Sequence, residues 1–167
     1  ECLSLVCTTA QPILLYCPQG LSKDVLDYGN IYPNMYKIGQ SFDTNNATLI
    51  NPSPIQNLDY GFDCYATQAF NAPDGRALAV SWLGLPDVEY PSDRFDHQGA
   101  FSLVKELTLK DGKLYQYPVP AIKNLRAEEQ PFANLAESKN SYELELNLAA
   151  DTEQEIILLA DKDGQGV

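Results

Sequence analysis

Apolar and polar residues alternate along much of this chain, and three Asp-Gly pairs punctuate the alternation, at Asp74-Gly75, Asp111-Gly112 and Asp163-Gly164. A repeat of two places successive side chains on opposite faces of a strand. Asp-Gly tolerates the positive φ values that a tight hairpin turn needs. Helical periodicity is scarce by comparison. The pattern predicts strands at Pro12–Cys17, within Asn30–Phe42 around Pro33-Asn34, at Cys64–Phe70 and along the apolar run from Ala77. Further strands are expected at Phe101–Leu109, on the return through Leu114, Tyr115 and Tyr117, at Tyr142–Leu148 and at Ile156–Ala160. Asp43-Thr44-Asn45-Asn46 reads as a polar turn, because Asp and Asn side chains bond nearby backbone. Hairpin following hairpin gives an all-β class, with propeller blades or a sandwich as its architectures.

Composition narrows the function. The 23 acidic residues outnumber the 11 basic ones, for a net charge of −12 over 167 residues. Such a surface repels nucleic-acid phosphates, so a polyanion-binding role is rejected. No apolar run approaches the ~20 residues of a membrane span. His97 is the only His and no Cys-x-x-Cys pair exists, so neither a metal nor a cofactor is expected. Cys2, Cys7, Cys17 and Cys64 are read as reduced and structural, in keeping with a cytoplasmic protein.

The segment from Leu58 to Phe70 shows Asp59 and Asp63 beside Tyr60 and Tyr65. Carboxylate acceptors next to flat apolar faces suit a sugar ring, so Asp59, Asp63 and Tyr65 are candidate substrate contacts. Each has a plainer reading: Asp commonly caps its own turn, and a strand Tyr commonly packs in a core. Trp82 closes an apolar strand beside Gly84 and is either core or a pocket wall that stacks on the C–H face of a sugar. The long polar loop 85–99 is of a length often tied to function. Among Lys37, Arg94 and Lys105, Arg94 is the favoured contact for a substrate phosphate, since Arg recognises phosphate through a bidentate fork.

Several ordered segments resemble the sucrose-6-phosphate hydrolases, within the invertase and β-fructofuranosidase family of glycoside hydrolases. They are Glu1-Cys2, Cys17-Pro-Gln-Gly-Leu21, Leu58-Asp-Tyr-Gly-Phe-Asp63, Trp82–Pro86, Tyr90-Pro-Ser-Asp93 and Lys105–Pro118. The resemblance implies late blades of a five-bladed β-propeller over 1–120, a linker over 121–137 and the beginning of a β-sandwich over 138–167, the chain being a C-terminal portion of the whole. It implies a retaining hydrolase of sucrose 6-phosphate or sucrose that works through two carboxylates. Glu1 takes the place of the family's general acid/base. The nucleophile motif Asn-Asp-Pro-Asn-Gly and the Arg-Asp-Pro motif occur nowhere in the chain, so the polypeptide alone is expected to be inactive and to need upstream blades, or another copy of itself, as partner. Leu3 stands where the family continues Glu-Cys with Pro, and a terminal Glu is expected to be loosely held. The competing reading is a non-catalytic carbohydrate-binding or assembly fragment of a propeller protein.

Overall fold

The computed structural model describes residues 1–8, 11–22, 31–131, 141–158 and 160–165. Two compact units divide the chain, Glu1–Ile122 and Lys123–Val167. All strands of the described residues lie in the first unit, and the only helices there and at its end are two short 3₁₀ turns, Pro91–Phe95 and Pro120–Leu125. The chain is all-β. Among the described residues no helix is long and apolar enough to cross a membrane.

The first unit opens with an antiparallel sheet of β1 (Ser4–Cys7), β2 (Pro12–Tyr16), β3 (Met35–Ile38) and the short β6 (Gln56–Asn57), in that spatial order. A small hairpin, β4 (Ser41–Asp43) and β5 (Thr48–Ile50), interrupts it. The Asp43 carboxylate closes that hairpin by accepting from the Asn45 and Asn46 amides. The second sheet runs β7 (Cys64–Asn71), β8 (Ala77–Leu83), β10 (Lys105–Lys110) and β11 (Lys113–Pro118), with β9 (Ala100–Phe101) also on β8.

The two sheets share one core. Val6, Ile13, Leu15, Tyr36 and Ile38 from the first meet Ala77, Ala79 and Leu107 from the second, with Leu58 from the connection between them. Burial of this apolar face is the dominant favourable contribution, at about 25 cal/mol per Å² removed from water. Polar clamps set the alignment of β1 on β7. The Asn71 side chain both accepts from the Cys7 amide and donates to its carbonyl, and Ser4 Oγ accepts from the Ala69 amide. An amide side chain used this way imitates one rung of a strand ladder.

Several strands differ from the alternation reading. Asp111 and Gly112 have φ of 51° and 71° and close a two-residue turn between Lys110 and Lys113, as Asp-Gly predicts. Asp74-Gly75 closes a slightly longer turn between Ala72 and Arg76: the Gly75 amide donates to the Ala72 carbonyl, Gly75 takes φ 89°, and the Asp74 carboxylate adds a bond from the Arg76 amide. The strand expected from Phe101 to Leu109 is broken between β9 and β10. Ser102 docks on Ser81 through backbone and hydroxyl bonds, which leaves Phe101 and Leu103 exposed.

The second unit contains no strand among its described residues, so neither Tyr142–Leu148 nor Ile156–Ala160 is paired there. Two strands do not sustain an independent sheet. Asn30, residues 132–140 and Leu159 lie outside the described residues, and the expectations that fall on them go with them.

Candidate active site

Two β-bulges shape the region around Glu1. In the first sheet Ser4 pairs with Leu15, yet Glu1 pairs with Cys17 through reciprocal backbone bonds of 2.9 Å. Two residues, Cys2 and Leu3, therefore stand opposite Tyr16 alone, and Cys2 adopts φ 52° to absorb the extra length. Leu3, where the family pattern has Pro, is the exposed residue of this bulge. In the second sheet Tyr65 pairs with Trp82 and Gln68 with Val80, so Ala66 and Thr67 stand opposite Ser81, with Ala66 at φ 51°. Bulges of this kind re-aim a side chain and are frequent beside active sites.

The second bulge overturns strict alternation along β7. Tyr65 and Thr67 are both buried, as a common face requires, but Ala66 between them is half-buried in the left-handed region instead of simply pointing the other way. Thr67 is drawn into a polar network on Asn34, which is 2 % exposed. Asn34 Nδ2 donates to Thr67 Oγ1 at 2.8 Å and to the Cys64 carbonyl at 3.2 Å, and the Thr67 and Ser81 hydroxyls are 2.7 Å apart. The Asn34 carbonyl accepts from the Leu58 amide. The two sheets are thereby tied together under the site.

Glu1 is not loosely held. Its backbone is locked to Cys17, and its Oε2 accepts from the Tyr65 hydroxyl and from Gln19 Nε2, both at 3.3 Å. Gln19 Nε2 also donates to the Tyr65 oxygen at 3.2 Å. The Tyr65 ring belongs to a small core with Cys17 and Leu85, against which Cys2, Tyr32, Ala66, Trp82 and Val88 pack. Burial, followed by the charges of Cys17 and Glu1 and the hydrogen bond to Glu1, raises the Tyr65 hydroxyl above the ordinary phenol value. Burial also pushes the Cys17 thiol up to about 11. Both groups are therefore neutral near pH 7, and Tyr65 serves Glu1 as a proton-bearing donor.

Trp82 combines its two readings. It packs on the small core while half-exposed, and its indole occupies space that only glycine leaves open: a Cβ on Gly84 or Gly99 would overlap the ring. Tyr32 lies against Tyr65 with ring centroids 5.7 Å apart, and its hydroxyl donates to Asp87 Oδ2 in the loop that carries Tyr90. Asp63 is half-buried one strand position before Cys64, and its carbonyl accepts from the Gly84 amide. Burial, with a contribution from the Asp63 charge, raises the Tyr90 hydroxyl above its usual range.

The remaining candidates lie apart from this cluster in their contacts. Asp59 Oδ1 accepts from the Gly61 amide at 2.8 Å, and Oδ2 pairs with Lys105 Nζ at 3.2 Å. Burial works against its charge, but the Gly61 amide and Lys105 outweigh burial and hold the carboxyl below the usual range. The turn-capping reading of Asp59 is the one its geometry matches, and Lys105 is engaged with it. Arg94 sits on the exposed 3₁₀ turn Pro91–Phe95 with its guanidinium 4.6 Å above the Phe95 ring, and it forms no ion pair among the described residues. Gln19, Tyr32 and Asn34 were not singled out as site residues; they lay only in noted segments, the turn after β2 and the Asn30–Phe42 stretch around Pro33-Asn34.

Residues 1–118 match the family description Glycosyl hydrolases family 32 N-terminal domain. The chain is 60 % identical over 167 residues to a sucrose-6-phosphate hydrolase of Streptococcus mutans serotype c, covering 100 % of this chain and 35 % of that protein. It is 48 % identical to the sucrose-6-phosphate hydrolase of Lactococcus lactis subsp. lactis, over 98 % of this chain and 36 % of that protein. It thus spans about a third of the length of these curated relatives. A solved sucrose-6-phosphate hydrolase from Lactobacillus gasseri superposes with a TM-score of 0.71 at 56 % identity, over 76 % of this chain and 26 % of that one. A Bombyx mori beta-fructofuranosidase superposes at 0.68 with 32 % identity, over 77 % and 27 % of the two chains, and a mutant of it was solved in complex with sucrose. On the match over residues 1–118, joined to the segments that carry Glu1, Asp63 and Trp82, the chain belongs to glycosyl hydrolase family 32.

Proposed function

We propose that the chain carries the acid/base half of a retaining β-fructofuranosidase acting on sucrose 6-phosphate or sucrose, with Glu1 as general acid/base. The supporting observation is the fixed Glu1 carboxylate, held beside a neutral Tyr65 hydroxyl at the end of a bulged strand. In this reading the protonated Glu1 gives its proton to the departing glycosidic oxygen. A carboxylate supplied by a segment outside this sequence attacks the fructosyl carbon and forms an ester. Glu1, now ionised, takes a proton from the water that releases fructose. Retaining geometry sets the two carboxyl groups about 5–5.5 Å apart.

Trp82 and Tyr65 form the wall against the sugar in this reading, Asp63 accepts from a hydroxyl, Asp59 shapes the loop that carries Asp63, and Arg94 is the candidate for a phosphate. Residues 1–120 are taken as late blades of a five-bladed propeller, 121–137 as a linker and 138–167 as the start of a β-sandwich. What supports blades is the order of strands: each sheet grows outward from its first strand, and those first strands, β1 and β7, lie side by side. The partners are the upstream blades or another copy of the chain, in a cytoplasmic enzyme.

The test is complementation. This chain is mixed with a separately made upstream segment bearing the attacking carboxylate, and fructose release from sucrose and from sucrose 6-phosphate is measured. Turnover in the mixture but in neither part supports the proposal. Sugar binding by the mixture without turnover supports the non-catalytic, carbohydrate-binding reading instead.

A further inference from the structure

The turn after β2 holds a side chain to which the reaction above assigns no part. Pro18, Gln19 and Gly20 follow Cys17 directly, with Gly20 in the left-handed region at φ 69°, so the direction of the turn is set by its backbone. Cys17 spends its amide and carbonyl on Glu1. The residue two positions on is therefore delivered to the same place as the Glu1 carboxylate. Gln19 Nε2 lies 3.3 Å from Glu1 Oε2 and 3.2 Å from the Tyr65 oxygen, while the Tyr65 hydroxyl is itself 3.3 Å from the same carboxylate oxygen.

These three atoms form a closed triangle, and its donors and acceptors are determined. An ionised carboxylate only accepts and a primary amide nitrogen only donates. The hydroxyl must then accept from Gln19 and donate to Glu1. The carboxylate charge attracts the phenolic proton, and the amide reinforces that orientation by occupying a lone pair on the hydroxyl oxygen.

We infer that Gln19 is a positioning residue for Glu1, acting both directly and through the orientation it reinforces in the Tyr65 hydroxyl. The inference rests on Glu1 being the acid/base. Gln19 itself touches no reacting atom. One donated bond reaches the carboxylate and the other the Tyr65 oxygen, so together they hold the carboxylate at one rotamer for its proton transfers. The other charged or titratable groups around the triangle are the Glu1 ammonium on the Cys17 carbonyl, Cys17 at the end of β2, Cys2 in the adjoining bulge, and Tyr32 ahead of β3 with its partner Asp87.

Two measurements test this. In the present chain, the side-chain amide resonances of Gln19 should shift with pH as Glu1 titrates, and that shift should vanish in Glu1→Gln. Resonances that ignore the Glu1 titration overturn the inference whatever the activity. In the full-length polypeptide, Gln19→Leu keeps the volume and removes the donors. It should lower kcat by roughly tenfold, the size expected for a bond to a charged group, while KM moves by less than about twofold. The alkaline limb of the pH profile should move upward, because the carboxylate has lost a donor to its charged form. Gln19→Glu, which adds a like charge, should move that limb further in the same direction. Gln19 is exposed, so both variants should unfold at the parent temperature. An unchanged profile and kcat in Gln19→Leu, beside an inactive Glu1→Gln, overturns the inference alone. Full activity in Glu1→Gln overturns the acid/base reading, and the inference with it.

Discussion

At the scale of single residues, glycine does as much for the site as the carboxylates do. Gly84 and Gly99 leave the space in which the Trp82 indole lies, and Gly99 also has φ 70°. Gly99→Ala must displace the ring and strain the backbone as well, at a cost of about 1–3 kcal/mol from the overpacking alone. The expected result is a lower urea midpoint with an unchanged slope, together with a shift in Trp fluorescence, which the single Trp of the chain makes easy to follow. Thiol accessibility gives a second prediction. Cys7 is exposed, whereas Cys17 and Cys64 are 1 % and 5 % exposed with thiols raised by burial. A disulfide reagent at pH 8 should label Cys7 quickly and reach Cys17 and Cys64 only with denaturant. Fast labelling of Cys17 in the native protein would contradict the packing described under Glu1.

Asp59 gives a pH prediction at the same scale. Its carboxyl titrates below the usual range in the folded chain: burial opposes the charge, and the Gly61 amide and Lys105 more than offset it. A depressed acid stabilises the fold above its unfolded pKa, and that contribution is lost as pH falls through the folded value. Asp59→Asn should therefore be less stable than the parent near pH 7, with the gap closing as the pH is taken below the ordinary carboxylate range. Urea midpoints measured across that range check it. A gap that stays constant to low pH would mean that the Asp59 charge plays no part.

At the scale of elements, the strands that alternate and the turns that hold Asp-Gly were legible because both signals are local. Pro12–Tyr16, Cys64–Asn71 and the Asp111-Gly112 hairpin follow from neighbouring residues alone. The bulges were not legible. An extra residue at Cys2–Leu3 or at Ala66–Thr67 shows only when the partner strand is counted beside it, and no residue type at either place announces a positive φ. The bridging role of Asn34 was hidden for the same reason: its burial arises from two sheets that meet 30 or more residues away in sequence. Removing it tests the network. Asn34→Ala leaves the Thr67 hydroxyl and the Cys64 carbonyl each short of a partner and should cost about 1–3 kcal/mol in unfolding experiments, whereas a loss below about 0.5 kcal/mol would place it among ordinary surface changes.

At the scale of the molecule, the candidate site is built at the meeting of two sheets, and in the proposed reading Glu1 is one of the two carboxylates that retaining glycoside hydrolysis uses. Glu1, Tyr65 and Trp82 were all singled out in sequence, and the fold brings them together through the pairing of Tyr65 with Trp82 and its bond to Glu1. Arg94 and Asp59 came from the same kind of reading, but the fold directs Asp59 to Lys105 and Arg94 to Phe95. Residue type alone does not say which side chains a bulge or a loop will turn inward. Strand β11 ends the second sheet with one edge unpaired among the described residues, and Tyr117 and Phe101 are 75 % and 81 % exposed. Unpaired edges beside exposed aromatics promote association, so sedimentation of the isolated chain should show concentration-dependent oligomers.

The most direct measurement is hydrolysis by Glu1→Gln in the full-length polypeptide, with sucrose compared against a fructofuranoside whose leaving group departs without protonation. A general acid matters only where the leaving oxygen needs a proton. Cleavage of sucrose should fall by roughly a hundredfold or more, while formation of the fructosyl intermediate from the activated substrate stays near the parent rate. Equal losses on both substrates, or none on sucrose, would contradict the role given to Glu1.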